Sequence, residues 1–193
     1  MSTLSPEEAR QALADIDAIS HQMRQAVCGD GLVASILMLW GVLWLIIFTA
    51  GYLSFPHGDR IAWVLNGLGF GATAFLAARR NKQVRSEAGQ KLMKQLALLW
   101  VVLMAYAILL PILLRMASWP TRLALTLAIV MLGYVIQGIW MKDKLFVVLG
   151  LFITASVLAC HAWLQPPQFL LGLGLLGGGG LFAGGLVVRL RWR

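Results

Sequence analysis

The sequence predicts an all-α integral membrane protein, a bundle of six transmembrane helices with an N-terminal cytoplasmic amphipathic helix. Three observations predict it. Of 193 residues 60% are hydrophobic and only 12% charged, with mean hydropathy +0.79. A soluble domain carries about a quarter charged residues. The apolar residues fall into six continuous runs, each long enough for a hydrocarbon core about 30 Å thick. Backbone groups in lipid must be satisfied internally, which leaves helices or closed barrels, and continuous rather than alternating runs select helices. The third observation is the one-sided distribution of Lys and Arg between the runs.

Residues 1–31 read as a separate cytoplasmic segment. Ser5-Pro6-Glu7-Glu8 is a helix start, with Ser5 as N-cap, Pro6 at the first helical position and Glu8 closing a capping box. Ala9, Leu13, Ile16, Ser20, Met23 and Val27 follow at spacings of three and four, a narrow stripe over about three heptads. Gly29-Asp30-Gly31 ends it. The stripe suits two uses, packing on the protein's own cytoplasmic face or docking a partner. Its five acids against Arg10 and Arg24 disfavour anchoring on anionic lipid, for which a polar face rich in Lys and Arg is needed.

The spans are placed at Leu32–Leu53, Ile61–Ala78, Leu96–Leu114, Leu123–Met141, Leu145–Leu164 and Phe169–Val188, which makes 32–188 the membrane domain and 189–193 a short basic tail. The stretch Arg79–Lys94 reads as a cytoplasmic loop. It holds six cations, Arg79, Arg80, Lys82, Arg85, Lys91 and Lys94, against the single anion Glu87. Counted on alternate sides, thirteen Lys and Arg share a side with both termini and three lie opposite. The positive-inside rule puts both termini in the cytoplasm. Trp63, Trp100, Trp119, Trp140, Trp163 and Trp192 fall near span ends, the headgroup level that indoles favour.

Net charge of +8 would point to nucleic acid in a soluble chain; here it sits between spans, where topology and anionic headgroups account for it, so no nucleic-acid partner is expected. Cys28 and Cys160 fall on opposite sides of the bilayer, beyond disulfide reach. Met1 opens onto a polar, acidic stretch without a basic n-region, so no cleaved signal peptide is expected. His21, His57 and His161 make no metal pattern, Cys160-His161 lacks the second cysteine of a haem-attachment motif, and no nucleophile or acid–base pair is evident. Neither a cofactor nor a metal nor an enzymatic activity is expected.

The spans contain no Asp, Glu, Lys or Arg in their interiors, which argues against midplane carboxylates, charge relays and voltage sensing. Candidate cavity or packing residues are therefore aromatic, amide and glycine. Trp40 and Trp44 lie about 12 and 18 Å into the first span, one turn apart, and each indole N–H wants an acceptor. Asn66 and Gln137 are the costliest to leave facing lipid and suit hydrogen bonds across helices or the lining of a polar path. Gly177, Gly178, Gly179 and Gly180 suit either a tight packing seam or a locally unwound stretch lining a cavity. Pro111 removes one backbone bond and frees the carbonyl of Ala107. Leu39–Leu43, Leu99–Leu103 and Leu145–Leu149 are similar pentapeptides in spans one, three and five, the pattern of three like-oriented hairpins.

The chain resembles small multi-pass proteins of bacterial inner membranes. Two functions fit the residues. One is a non-enzymatic assembly or partner-docking component that uses Leu13, Ile16 and Met23 of the stripe with Arg79, Arg80 and Arg85 of the basic segment to hold a cytoplasmic protein partner, or that forms a homo-oligomer. The other is a small permease or channel for a neutral, apolar or lipid-like species.

Overall fold

The computed structural model describes residues 31–54, 59–81, 87–116 and 118–191, together with Ser5, Glu7, Glu8, Arg10, Gln11 and Ala14. Among these there is no strand. Six helices are long and apolar enough to cross a membrane: α1 (Leu32–Leu53), α2 (Asp59–Asn81), α3 (Glu87–Leu113), α4 (Trp119–Trp140), α5 (Lys144–Trp163) and α6 (Pro166–Arg191). The predicted bounds of α1 coincide with the observed ones. At the N-terminus, Glu8 accepts from the Ser5 N–H at 2.8 Å and the Glu8 N–H donates to Ser5 Oγ at 3.3 Å, the reciprocal pair the sequence implies. Hydrogen bonding from the Ser5 N–H, and secondarily from the Ser5 side chain, holds the Glu8 carboxyl below its ordinary pKa.

The segment Arg79–Lys94 differs from its reading as a loop. Helix α2 runs through Arg79 and Arg80 to Asn81, and α3 starts at Glu87, so Arg79, Arg80, Lys91 and Lys94 belong to helices. The reason is composition. Ala, Gln, Lys, Leu and Met between 88 and 94 are strong helix formers, and charge that rules out a lipid-facing position does not rule out a helix.

Packing follows the order α2, α1, α6, α5, α4, α3. Each consecutive pair α1–α2, α3–α4 and α5–α6 is an antiparallel hairpin, and α4–α5 and α6–α1 join the hairpins. A shared contact recurs in all three. A Cβ added at Gly69 of α2 would stand 2.6 Å from Leu43 Cδ1; at Gly133 of α4, 2.8 Å from Leu103 Cδ1; at Gly184 of α6, 2.9 Å from Leu149 Cδ2. Leu43, Leu103 and Leu149 are the last residues of the three similar pentapeptides. The first two hairpins share more: Trp40 meets Phe70 edge-on at 5.0 Å, and Trp100 meets Tyr134 edge-on at 5.1 Å. Phe70 and Tyr134 each directly follow the contacted glycine. In the third hairpin Phe146 turns instead to Gly138 of α4.

The C-terminal ends of α3 and α4 are closed by backbone hydrogen bonds. After α4 the Lys142 N–H donates to Ile139 O at 3.1 Å and the Asp143 N–H to Gly138 O at 2.8 Å. After α3, Arg115 and Met116 make the same pair of bonds to Ile112 and Pro111. These are Schellman closures, with Lys142 (φ 50°) and Arg115 (φ 49°) in the left-handed position usually held by glycine. Asp143 then caps α5, accepting from the Leu145 N–H at 3.0 Å. One residue thus ends one helix and begins the next, which draws α4 and α5 together.

Candidate packing and docking site

The eight residues singled out as cavity or packing candidates are distributed over separate interfaces. Trp40 turns from α1 toward α2, where its Nε1–H donates to Thr73 Oγ1 at 3.0 Å and its ring covers Gly69. Trp44, one turn on, is buried and turns toward α6: a Cβ at Gly177 would lie 3.1 Å from its ring. The two indoles expected to share one face therefore serve two neighbours, since residues four apart diverge by about 40° around the axis.

Asn66 and Gln137 depart from the expectation of bonds across helices. Asn66 Nδ2 donates to Ala62 O, one turn back in its own helix, at 2.8 Å. Gln137 is buried and its Nε2 donates to Met141 Sδ at 3.6 Å, again within one helix. Each amide finds an acceptor without crossing the interface, which removes the need for a partner helix to supply one. Helix α4, bearing Gln137, packs on α3 and α5, and α2, bearing Asn66, packs on α1, so the two amides sit on different helix pairs. The polar bonds that do cross helices come from other residues. One is Trp40 to Thr73; another is Thr126 Oγ1 of α4, which donates at 3.0 Å to Ala107 O, the carbonyl that Pro111 frees.

The glycine run is helical throughout. In place of an unwound stretch, Leu173–Gly178 form a π-helical turn between α-helical arms Pro166–Gly172 and Gly179–Arg191. A π turn carries one extra residue and shifts the side chains beyond it. Gly178 sits against the backbone of α1: a Cβ there would stand 2.8 Å from Leu45 N and 2.9 Å from Gly41 O. Gly41 is equally confined by Phe182 and Gly178, and Gly185 by Ala34 O and Met38. Gly177 lies under Trp44 and Gly180 against Phe152 and Ile153, while Gly179 has no atom within 4 Å of a Cβ position. Within the run, Gly178 thus makes the backbone-to-backbone contact with α1, Gly177 packs under an α1 side chain and Gly180 faces α5.

Asp143 was not singled out from the sequence. It is buried, caps α5 and faces Arg191 Nη1 at 3.5 Å, tying the start of α5 to the end of α6. Its signal was present, an Asp directly before an apolar helical run. At the opposite end of the bundle an open concavity of about 300 Å³ is lined by Ser118, Pro120, His161, Trp163, Gln165 and Phe169. His161 meets Phe169 edge-on there at 5.8 Å.

Of the docking candidates, Leu13, Ile16, Met23 and Arg85 lie outside the described residues, as does His57. Arg79 and Arg80 belong to the last turn of α2, and Arg79 is exposed. Cations at that end complement the negative pole of the helix. No protein-family model, no curated protein and no solved structure was found to match the chain.

Proposed function

We propose that the chain is an integral inner-membrane protein with both termini cytoplasmic, a non-enzymatic component that works by assembly and by holding a partner. The outward surface of the six helices is apolar to an extent that only lipid or another membrane helix can match, with Trp63, Leu53 and Trp163 each more than three-quarters exposed. The thirteen-to-three division of Lys and Arg orients the bundle.

The observation that favours assembly over permeation is the occupant of the glycine run. Gly177 and Gly178 are filled by the Trp44 ring and the α1 backbone, which is what a packing element needs and a conducting path excludes. The net-acidic segment 1–31, with its apolar stripe, and the basic end of α2 and start of α3 share the cytoplasmic side on this reading, which supports a docking role for that face.

Native mass spectrometry of gently solubilised protein tests this reading. A defined oligomer without a retained small molecule is expected. A monomer carrying a reproducible lipid-like or neutral adduct would overturn it in favour of a permease or channel.

A further inference from the structure

The three hairpins imply three equivalent seams, each joining an even-numbered helix to the odd-numbered helix of the next hairpin. Two are built. In α6–α1, Gly41, Gly178 and Gly185 admit backbone-to-backbone contact; in α4–α5, Gly138 meets Val147 and Gly150 meets Met131 O and Val135. The third, α2–α3, is not formed along the helices among the described residues. Its faces are nonetheless present.

On α2, Gly67, Gly71, Ala74 and Ala78 recur at i, i+4, i+7 and i+11, all exposed, and neither glycine has an atom within 4 Å of a Cβ position. On α3, Leu98, Val101, Ala105, Ile108 and Ile112 form a stripe at spacings of three and four, with Leu98 64%, Val101 66% and Ile112 63% exposed. A smooth face and a ridged one of opposite helix direction are complementary in the way the two built seams are.

We propose that a second copy of this chain fills the open seam, α2 of one protomer against α3 of the other and the reverse, about a two-fold axis along the helices. The proposal rests on the membrane and assembly reading above. Within one chain the two faces are kept apart. Helix α2 is fastened to α1 by Trp40, Gly69 and Thr73, and α3 to α4 by Trp100, Leu103 and the Thr126–Ala107 bond. The hairpins are in turn fastened through the glycine seams, so internal closure would have to break one of them. Only five residues, 82–86, separate α2 from α3, which limits their joined ends to about 20 Å. An isologous pair then matches each face to its complement twice, and each α2–α3 contact is antiparallel, as the built seams are.

The repeat also supplies two candidate registers, seven residues apart, one from each built seam. Counting from Gly133 to Gly69 and from Phe146 to Trp100, the Gly138–Val147 contact maps onto Ala74 and Val101. Counting from Gly184 and from Trp40, the Phe182–Gly41 contact maps onto Gly67 and Val101. In a Cys28→Ser/Cys160→Ala background, Val101→Cys would be co-expressed in native membranes with a differently tagged Ala74→Cys or Gly67→Cys chain and oxidised. A covalent dimer carrying both tags is expected with at least one partner. Absence of cross-linking with either, or an internally cross-linked monomer when both cysteines are in one chain, would overturn the proposal, the first in favour of lipid and the second in favour of self-closure.

Gly67→Leu/Gly71→Leu gives an independent reading. Both sites are open, so the fold is retained and the dimer is lost in native mass spectrometry; a folded variant that stays dimeric would overturn the proposal. Side-specific thiol labelling of Cys28 in sealed vesicles reports insertion separately, so a failure of dimerisation is not confused with a failure of the membrane reading.

Discussion

The hydroxyl of Thr126 donates to the carbonyl of Ala107 at 3.0 Å, joining α4 to α3 where Pro111 has taken away the carbonyl's own helical donor. Thr126→Val leaves that carbonyl unpaired and is expected to lower stability by about 1 kcal/mol. In a Pro111→Ala background residue 111 has an N–H to offer Ala107, so the same substitution should cost clearly less. Thermal unfolding of the four proteins in one detergent closes the cycle; equal costs in the two backgrounds would mean that the two residues are not coupled.

Neighbouring glycines of α6 should respond in opposite directions. Gly178→Ala puts a methyl 2.8 Å from Leu45 N and is expected to destabilise by about 1–3 kcal/mol, because both contacts are backbone. Gly179→Ala meets nothing and is expected to stabilise by up to about 1 kcal/mol through helix propensity. Unfolding midpoints of the two variants, measured side by side, check the seam one residue at a time.

Trp40 combines a ring over Gly69 with a hydrogen bond to Thr73. Trp40→Phe keeps most of the apolar contact and drops the donor, so a loss of about 1 kcal/mol is expected. Thr73→Val should remove much of the same interaction, and the double variant should fall short of the sum. Additive losses would show that the bond contributes nothing.

Glu8 gives a pH-dependent reading outside the spans. Its folded pKa is depressed by the Ser5 bonds from an ordinary value of 4.5. A depressed carboxylate contributes stability that is present above the ordinary value and is lost as pH falls through the folded one. Amide hydrogen exchange at Ser5 and Glu8 should therefore accelerate, relative to the intrinsic rate, on acidification below 4.5. In Ser5→Ala the Glu8 titration should move up toward the ordinary value.

Much of the frame was legible because hydropathy and local chemistry carry it. The bounds of α1, the capping box of Ser5 and Glu8, and the carbonyl freed by Pro111 all follow from residues close in sequence. The similar pentapeptides were legible as well, although their meaning, a leucine over a glycine of the following helix, required the partner helix. What escaped depends on competition between local and distant bonds. Asn66 and Gln137 could serve either, and the carbonyl of Ala62 and the sulfur of Met141 are nearer. The π turn at Leu173–Gly178 depends on how Gly178 meets α1, which no property of a glycine run specifies. The helical ends of Arg79–Lys94 were hidden because charge dominates hydropathy while propensity decides secondary structure. Asp143 is masked in the sequence by the lysines that set the topology of its turn.

Six crossings with both termini on one side can be read most directly with single thiols and a membrane-impermeant maleimide. Three proteins suffice: Cys160→Ala, which keeps Cys28, and two Cys28→Ser/Cys160→Ala chains with Ser118→Cys or Arg193→Cys. The prediction is labelling at positions 28 and 193 only in inside-out vesicles, and at 118, three crossings from residue 28, only in right-side-out vesicles. Labelling of position 118 from the same side as 28, or of 193 from the opposite side, would contradict the six-helix topology.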